Sequence, residues 1–207
     1  ITTRLVGSEM CIRDSLNISH IRHISNIHYA RYNQMSKTAF DLSKIRGIAF
    51  DVDGVLSPSA VPLGDDGVPR RLANTKDGFA LREATRKGMK IAIISGAVAP
   101  GLRERFAMLG IDDVYLGAGK KIDVFKSWMA ERGLKPEETA FAGDDVPDCT
   151  SMRLAGLGVA PADASVDAME AADYISPVAG GCGVARDIIE QILRSRGEWP
   201  SDASANG

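Results

Sequence analysis

From residue 44 onward, apolar residues gather in short runs at 45–52, 89–94, 112–117, 139–143 and 157–160. Runs of this length, bounded by glycine, proline and charge, read as buried strands. Between most of them the period lengthens to that of a helix. Residues 78–87 follow Asp77, and residues 98–109 start near Pro100 with Leu102, Phe106 and Leu109 on one face. Residues 121–132 bring Ile122, Phe125 and Met129 together before Gly133 stops the turn, and 184–196 repeat the theme with Val184, Ile188 and Ile192. Alternating strands and helices predict an α/β fold, a Rossmann-like parallel sheet covered by helices on both faces through right-handed crossovers.

One stretch breaks the alternation. Residues 57–74, "SPSAVPLGDDGVPRRLAN", place a Gly-Asp-Asp-Gly turn between two short extended arms, which predicts a β-hairpin insertion. Pro62 and Pro69 suit edge strands, and the insertion is too small for a second domain. The acidic turn lacks the ligand spacing of a Ca²⁺ loop.

The first 34 residues follow neither pattern. They show no sustained period and hold all three histidines, and "VGSEMCIRDS" resembles translated sequencing adaptor. They are expected to be a disordered or non-native leader, with residues 35–207 forming one domain. The leader also carries four arginines against two acids, so the remainder is more acidic than the overall net charge of −2. No basic stripe favours nucleic acid, and no run of eighteen apolar residues favours a membrane. Cys149 and Cys182 are too few and too isolated for a disulfide framework or zinc cage and read as inert thiols. A reducing cytoplasm is the expected compartment.

With imidazole confined to the leader, the chemistry falls to carboxylates, Lys, Ser and a bound ion. Parallel sheets gather ligands at the carboxyl ends of their strands. Asp51 and Asp53 end the first run, and Ser95-Gly96 the second. Lys121 opens the helix after the third, and Asp144, Asp145 and Asp148 follow the fourth in "FAGDDVPD". Clustered carboxylates repel one another unless a hard cation offsets them, and oxygen-only ligands suit Mg²⁺. One such carboxylate can attack phosphorus while a second, two residues on, moves the leaving-group proton. Ser95 and Lys121 are placed to hold phosphoryl oxygens.

The order D-x-D-G-V, then a strand ending S-G, then Lys, then G-D-D-x-x-D resembles the haloacid dehalogenase superfamily of phosphatases. "FDVDGVLS", "NTKDGFALR", "AIISG", "GDDVPDCTSM", "PADA" and "AGGCGVARD" resemble its capless subfamily, the 8-phosphate phosphatases of 3-deoxy-D-manno-octulosonate and the 9-phosphatases of nine-carbon sugar acids. The resemblance runs from about residue 44 to 197. It implies Asp51 as nucleophile, Asp53 as general acid/base, and Mg²⁺ held by Asp51, the Asp53 carbonyl and Asp144. Asp145 and Asp148 would support these ligands. Ser95 and Gly96 would meet the phosphoryl group, and Lys121 would pair with it and with the nucleophile. It further implies a role in lipopolysaccharide precursor synthesis and a homotetramer assembled through the hairpin, a neighbouring tail helping to close each site.

Three positions depart from the subfamily pattern. Pro58-Ser59 replace an acidic residue and a glycine, and Lys76 replaces an arginine expected at the substrate. Cys182 stands where a basic residue often binds substrate, and Arg186 nearby can supply that charge. Lys76 and Asp77 read equally well as a plain helix start, and Gly180, Gly181 and Gly183 as a flexible loop. The alternatives are a 9-phosphatase of a nine-carbon sugar acid or another sugar phosphate phosphatase, and, from a different class, a catalytically silent oligomeric assembly module.

Overall fold

The computed structural model describes residues 40–200, so the leader and the polar tail lie outside the described residues. Six strands form one parallel sheet: β1 (Gly47–Phe50), β2 (Lys90–Ser95), β3 (Asp113–Leu116), β4 (Thr139–Ala142), β5 (Leu157–Ala160) and β6 (Tyr174–Ile175). Their spatial order is β3-β2-β1-β4-β5-β6. The chain winds outward from β1 through β2 to β3, then returns to the other side of β1 with β4. The register pairs Ala49 with Ala92 on one side and with Phe141 on the other.

Among the described residues five α-helices join these strands, α1 (Thr75–Arg86), α2 (Pro100–Ala107), α3 (Lys121–Arg132), α4 (Val146–Leu154) and α5 (Val166–Ala171), and a sixth, α6 (Val184–Ser195), follows β6. Because side chains alternate along a strand, each strand feeds two cores. Ala49, Ala92, Ile94 and Phe141 pack with Phe125, Trp128 and Met129 of α3 and Met152 of α4. On the other face α1 and α6 pack on each other, and α1 also packs on β2. Trp128 is fully buried, and its indole N–H donates to Asp113 Oδ2 at 2.8 Å. Burying the ring therefore leaves no orphan donor.

Several boundaries differ from the sequence pattern for local reasons. α1 starts three residues before the expected position, because the Asn74 side chain accepts from the N–H groups of Lys76 and Asp77 and caps the first turn. The sequence pattern assigns no helix at α4, only the carboxylates Asp144, Asp145 and Asp148 after the fourth run. There the Asp148 side chain accepts the N–H of the N-cap residue Asp145 at 3.4 Å, with proline in the first turn. α5 and β6 were not expected; they have six and two residues, too few to show a period. α3 does stop at Gly133, whose φ of 63° is the left-handed conformation of a helix C-terminus.

The 57–74 insertion turns back on itself at the expected place. Gly64 N–H donates to Val68 O, Arg70 N–H donates to Pro62 O, and Leu63 opposes Pro69 in an antiparallel bridge. The arms go no further as a ladder, since each contains a proline that cannot donate. Leu63, Val68 and Leu72 are left exposed on it.

Candidate active site

The strand order reverses between β1 and β4, and such a switch point opens a crevice at the carboxyl ends of the strands. Asp51 follows β1 there, Asp144 follows β4, and Lys121 and Asp148 lie in the first turns of α3 and α4. Asp51 N–H continues the ladder by donating to Ala142 O at 2.9 Å. Its carboxylate is therefore positioned by sheet backbone.

Lys121 Nζ lies 3.0 Å from Asp51 Oδ2 and 2.7 Å from Asp148 Oδ1, with all three side chains buried. Asp148 Oδ2 also accepts the N–H groups of Asp144 and Asp145 at 3.3 and 3.4 Å. One carboxylate thus fixes the lysine and the turn that carries Asp144. Oxygens of Asp51, Asp144 and Asp148 lie within 4.8 Å of one another. The turn comes this close because residue 54 is glycine: a Cβ there would stand 1.9 Å from Asp144 Oδ2, and φ is +88°. The glycine of D-x-D-G is a packing requirement.

Three carboxylates share one ammonium, and their protonation reflects that excess. Burial, followed by the charges of Asp51 and Asp148, pushes Asp144 up to about 7. Asp51 rises to about 6, first through burial and then through Asp148, with Lys121 pulling against both. Burial also raises Asp148, against Lys121 and the two backbone N–H groups. Burial alone would lower Lys121, but Asp51 and Asp148 outweigh it and hold it charged. Hard oxygen donors in such excess fit a divalent cation.

The other expected site residues are placed as follows. Ser95 is buried at the end of β2 with its hydroxyl accepting from Ala97 N–H at 3.2 Å, and Gly96 is exposed in the turn beyond it. Asp145 is exposed and serves α4 as its N-cap. Asp53 is half-buried, and its carboxylate lies outside the Asp51–Asp144–Asp148 group. Lys76 is exposed at the start of α1. Arg186 is half-buried in the first turn of α6. Its guanidinium lies 4.4 Å from the Trp199 ring centroid and 5.6 Å from that of Phe79, with Nε 2.5 Å from Glu190 Oε2. Two aromatic rings and one carboxylate thus surround the guanidinium.

A cavity of about 840 Å³ opens between the hairpin, α1 and α2; it reaches Val52 and Arg71 but is not lined by Asp51, Lys121, Asp144 or Asp148. Val52, Leu56, Leu81, Leu102 and Phe106 line it, together with Arg71, Asp77 and Arg105. Arg71 is a residue that sequence reasoning missed: both Asp53 oxygens accept from its guanidinium. The pair spans 18 residues, and only an arginine in a hairpin arm signalled it.

No protein-family model matches the chain. The 3-deoxy-D-manno-octulosonate 8-phosphate phosphatase of Escherichia coli strain K12 is 36% identical over 154 residues, which are 74% of this chain and 82% of that protein. The crystal structure of the Yersinia pestis 8-phosphate phosphatase superposes with a TM-score of 0.74 at 32% identity, covering 76% of this chain and 85% of that one. That of the Moraxella catarrhalis enzyme, in complex with magnesium, phosphate and KDO, gives 0.73 at 28% identity, covering 79% and 92%. The chain belongs to the 3-deoxy-D-manno-octulosonate 8-phosphate phosphatase family of haloacid dehalogenase-type phosphatases.

Proposed function

We propose that the chain is a Mg²⁺-dependent phosphomonoesterase that hydrolyses 3-deoxy-D-manno-octulosonate 8-phosphate to the free sugar acid and phosphate. The observation that carries this reading is the buried Asp51–Lys121–Asp148 chain with Asp144 beside it at the strand switch point. Asp51, Asp144 and the Asp53 carbonyl would hold the ion, with the Asp148 carboxylate beside them. Bound Mg²⁺ offsets the clustered charge and polarises a phosphoryl oxygen.

Asp51 attacks phosphorus, the sugar oxygen departs, and an aspartyl phosphate forms on Asp51. Asp53 gives the departing oxygen its proton and later takes one from the water that cleaves the acyl phosphate. Lys121 orients Asp51 and, with the Ser95 and Gly96 turn, holds the non-bridging oxygens whose charge must be balanced. Lys76, exposed in the first turn of α1, is assigned to the anionic substrate by the family resemblance alone.

Phosphate release from the 8-phosphate ester is expected in Mg²⁺, to disappear with EDTA, and to fall at least about a thousandfold in Asp51→Asn. Wild-type turnover in that variant would sink the mechanism. Hydrolysis of nine-carbon 9-phosphates in preference to the 8-phosphate would replace the substrate. A catalytically silent module is disfavoured, because holding the turn after β4 accounts for Asp148 but not for Asp51 and Asp144 crowded beside it. The same reading takes the protein as a cytoplasmic homotetramer joined through its hairpin.

A further inference from the structure

Two stretches singled out in the sequence, "PADA" and "AGGCG", take no part in the chemistry above. The fold places them side by side beyond β5 and β6. There the parallel ladder runs on past both strands: Ser176 N–H donates to Ala160 O at 2.8 Å, and Ala162 N–H donates to Val178 O at 3.0 Å. At the next step the acceptor is a side chain, Asp163 Oδ1, which takes the Gly180 N–H at 2.8 Å. A carboxylate acceptor makes this a stronger kind of bond than the amide pairs before it. Asp163 is exposed, so replacing it removes the bond without opening a cavity.

Gly180 and Gly181 in turn lie against the turn that follows β1. Gly181 N–H donates to Val55 O at 2.8 Å, and no room is left for a Cβ between Gly180 and Gly54 O. The contact is backbone on backbone, with no side chain between to absorb a shift. Asn74 holds the same loop from α1: its Nδ2 donates to Gly181 O at 3.0 Å while its Oδ1 caps the helix. The segment carrying Asp163 also reaches the other half of the site, where Ser165 N–H donates to Asp144 O at 2.8 Å. The β1–β4 ladder extends only to Asp51 N–H and Ala142 O, and Asp53 and Gly54 lie beyond it. Bonds within their turn, such as Ser57 N–H to Val52 O, set its shape. Its distance from Asp144 depends on the glycine loop packed behind it.

We propose that Asp163 and Asn74 are positioning residues for the reaction: they pin the Gly180–Gly181 backbone from two sides, and that backbone holds Asp53 and Gly54 at their distance from Asp144. The roles of Asp53 and Asp144 in this statement rest on the function proposed above; the brace itself does not. Neither pinning residue belongs to the carboxylate group around Lys121, and both act through main chain. A looser brace presents the Asp53 carbonyl and Asp144 less well to one ion and lets the Asp53 carboxyl stray from the departing oxygen.

The test compares wild type with Asp163→Ala, Asp163→Asn, Asn74→Asp and Asp173→Ala, each with its melting curve. Asp163→Asn keeps an acceptor for Gly180, and Asn74→Asp keeps the helix cap but not the donor to Gly181 O. Asp173→Ala removes another carboxylate–backbone bond of 2.8 Å, to Gly158 N–H in β5, and controls for lost stability. Mg²⁺ affinity by calorimetry, and kcat on the 8-phosphate ester, are each expected to fall about tenfold in Asp163→Ala with KM little changed, the scale for groups that orient metal ligands. Asn74→Asp is expected to lose in the same direction, and Asp163→Asn to recover most of the loss. Asp173→Ala is expected to lower the melting temperature and leave both readouts unchanged. Unchanged affinity and kcat in Asp163→Ala and Asn74→Asp overturn the brace. So does an equal loss in Asp173→Ala, or a loss in Asp163→Asn as large as in Asp163→Ala. Should Asp163→Ala fail to fold, Asn74→Asp decides alone. In metal-free protein, exchange of the Gly54–Ser57 amide hydrogens, followed by NMR, is expected to be at least about tenfold faster in Asp163→Ala and Asn74→Asp than in wild type. If wild type binds no Mg²⁺ and hydrolyses no ester, the functional reading fails; the exchange rates still decide the brace, and unchanged rates overturn it.

Discussion

At the scale of single residues, the active site is an unbalanced charge held in place by backbone. Asp144 at about 7 and Asp51 at about 6 keep their protons more tightly in the folded chain than an unfolded carboxyl near 3.8. Between those limits the native state binds more protons, so its stability falls as pH rises through the window. Metal-free protein is therefore expected to lose melting temperature from pH 5 to 8, against the trend of an ordinary salt-bridged carboxylate. Added Mg²⁺ has the opposite preference, because it binds the deprotonated groups and expels their protons. Its affinity, followed by calorimetry, is expected to be at least about tenfold weaker at pH 5.5 than at pH 8. Equal affinity at the two pH values would mean that Asp51 and Asp144 are already ionised without the ion.

At the scale of elements, local signals were legible where a run carries its own period and illegible where partners lie far apart in sequence. β1 and the D-x-D-G turn could be read because four consecutive buried residues lead straight into them. α4 could not, since its first turn is held by capping side chains and its apolar positions are few. That cost the full weight of Asp148, which sequence placed as a supporting residue and the fold places within the carboxylate cluster. Arg71 and Asp77 were illegible for the same reason: their partners are brought in by the fold. α6 begins at Gly183 with no capping side chain of its own. Asp77 supplies the cap from α1, its Oδ1 accepting Arg186 N–H at 2.7 Å. Burial raises Asp77 to about 6 despite that bond and the one from Ala185. Replacing the acceptor, as in Asp77→Ala, is expected to cost about 1–2 kcal/mol in urea unfolding. Asp77→Asn keeps an acceptor oxygen and is expected to lose less while removing the group's share of the pH dependence. Identical losses in the two variants would assign Asp77 to packing alone.

At the scale of the whole molecule, the sheet order explains why the site is where it is, and the hairpin explains what is left over. β1 is the centre from which the chain winds both ways, so residues after β1 and β4 meet in the same crevice. That much followed from alternating strands and helices, because a parallel sheet has few ways to be wound. The hairpin obeys no such rule. It buries little of itself, and it exposes Leu63, Val68 and Leu72 beyond the sheet. Exposed leucines on a short insertion gain most by meeting their own copies, because a symmetric patch is self-complementary. The proposed homotetramer therefore depends on these side chains. Leu63→Asp with Leu72→Asp is expected to convert a tetrameric mass, measured by light scattering at micromolar concentration, to a smaller one. Both positions are exposed, so the melting temperature of the separated subunit should fall only by what assembly contributed. Wild-type protein of monomeric mass would remove the tetramer from the account.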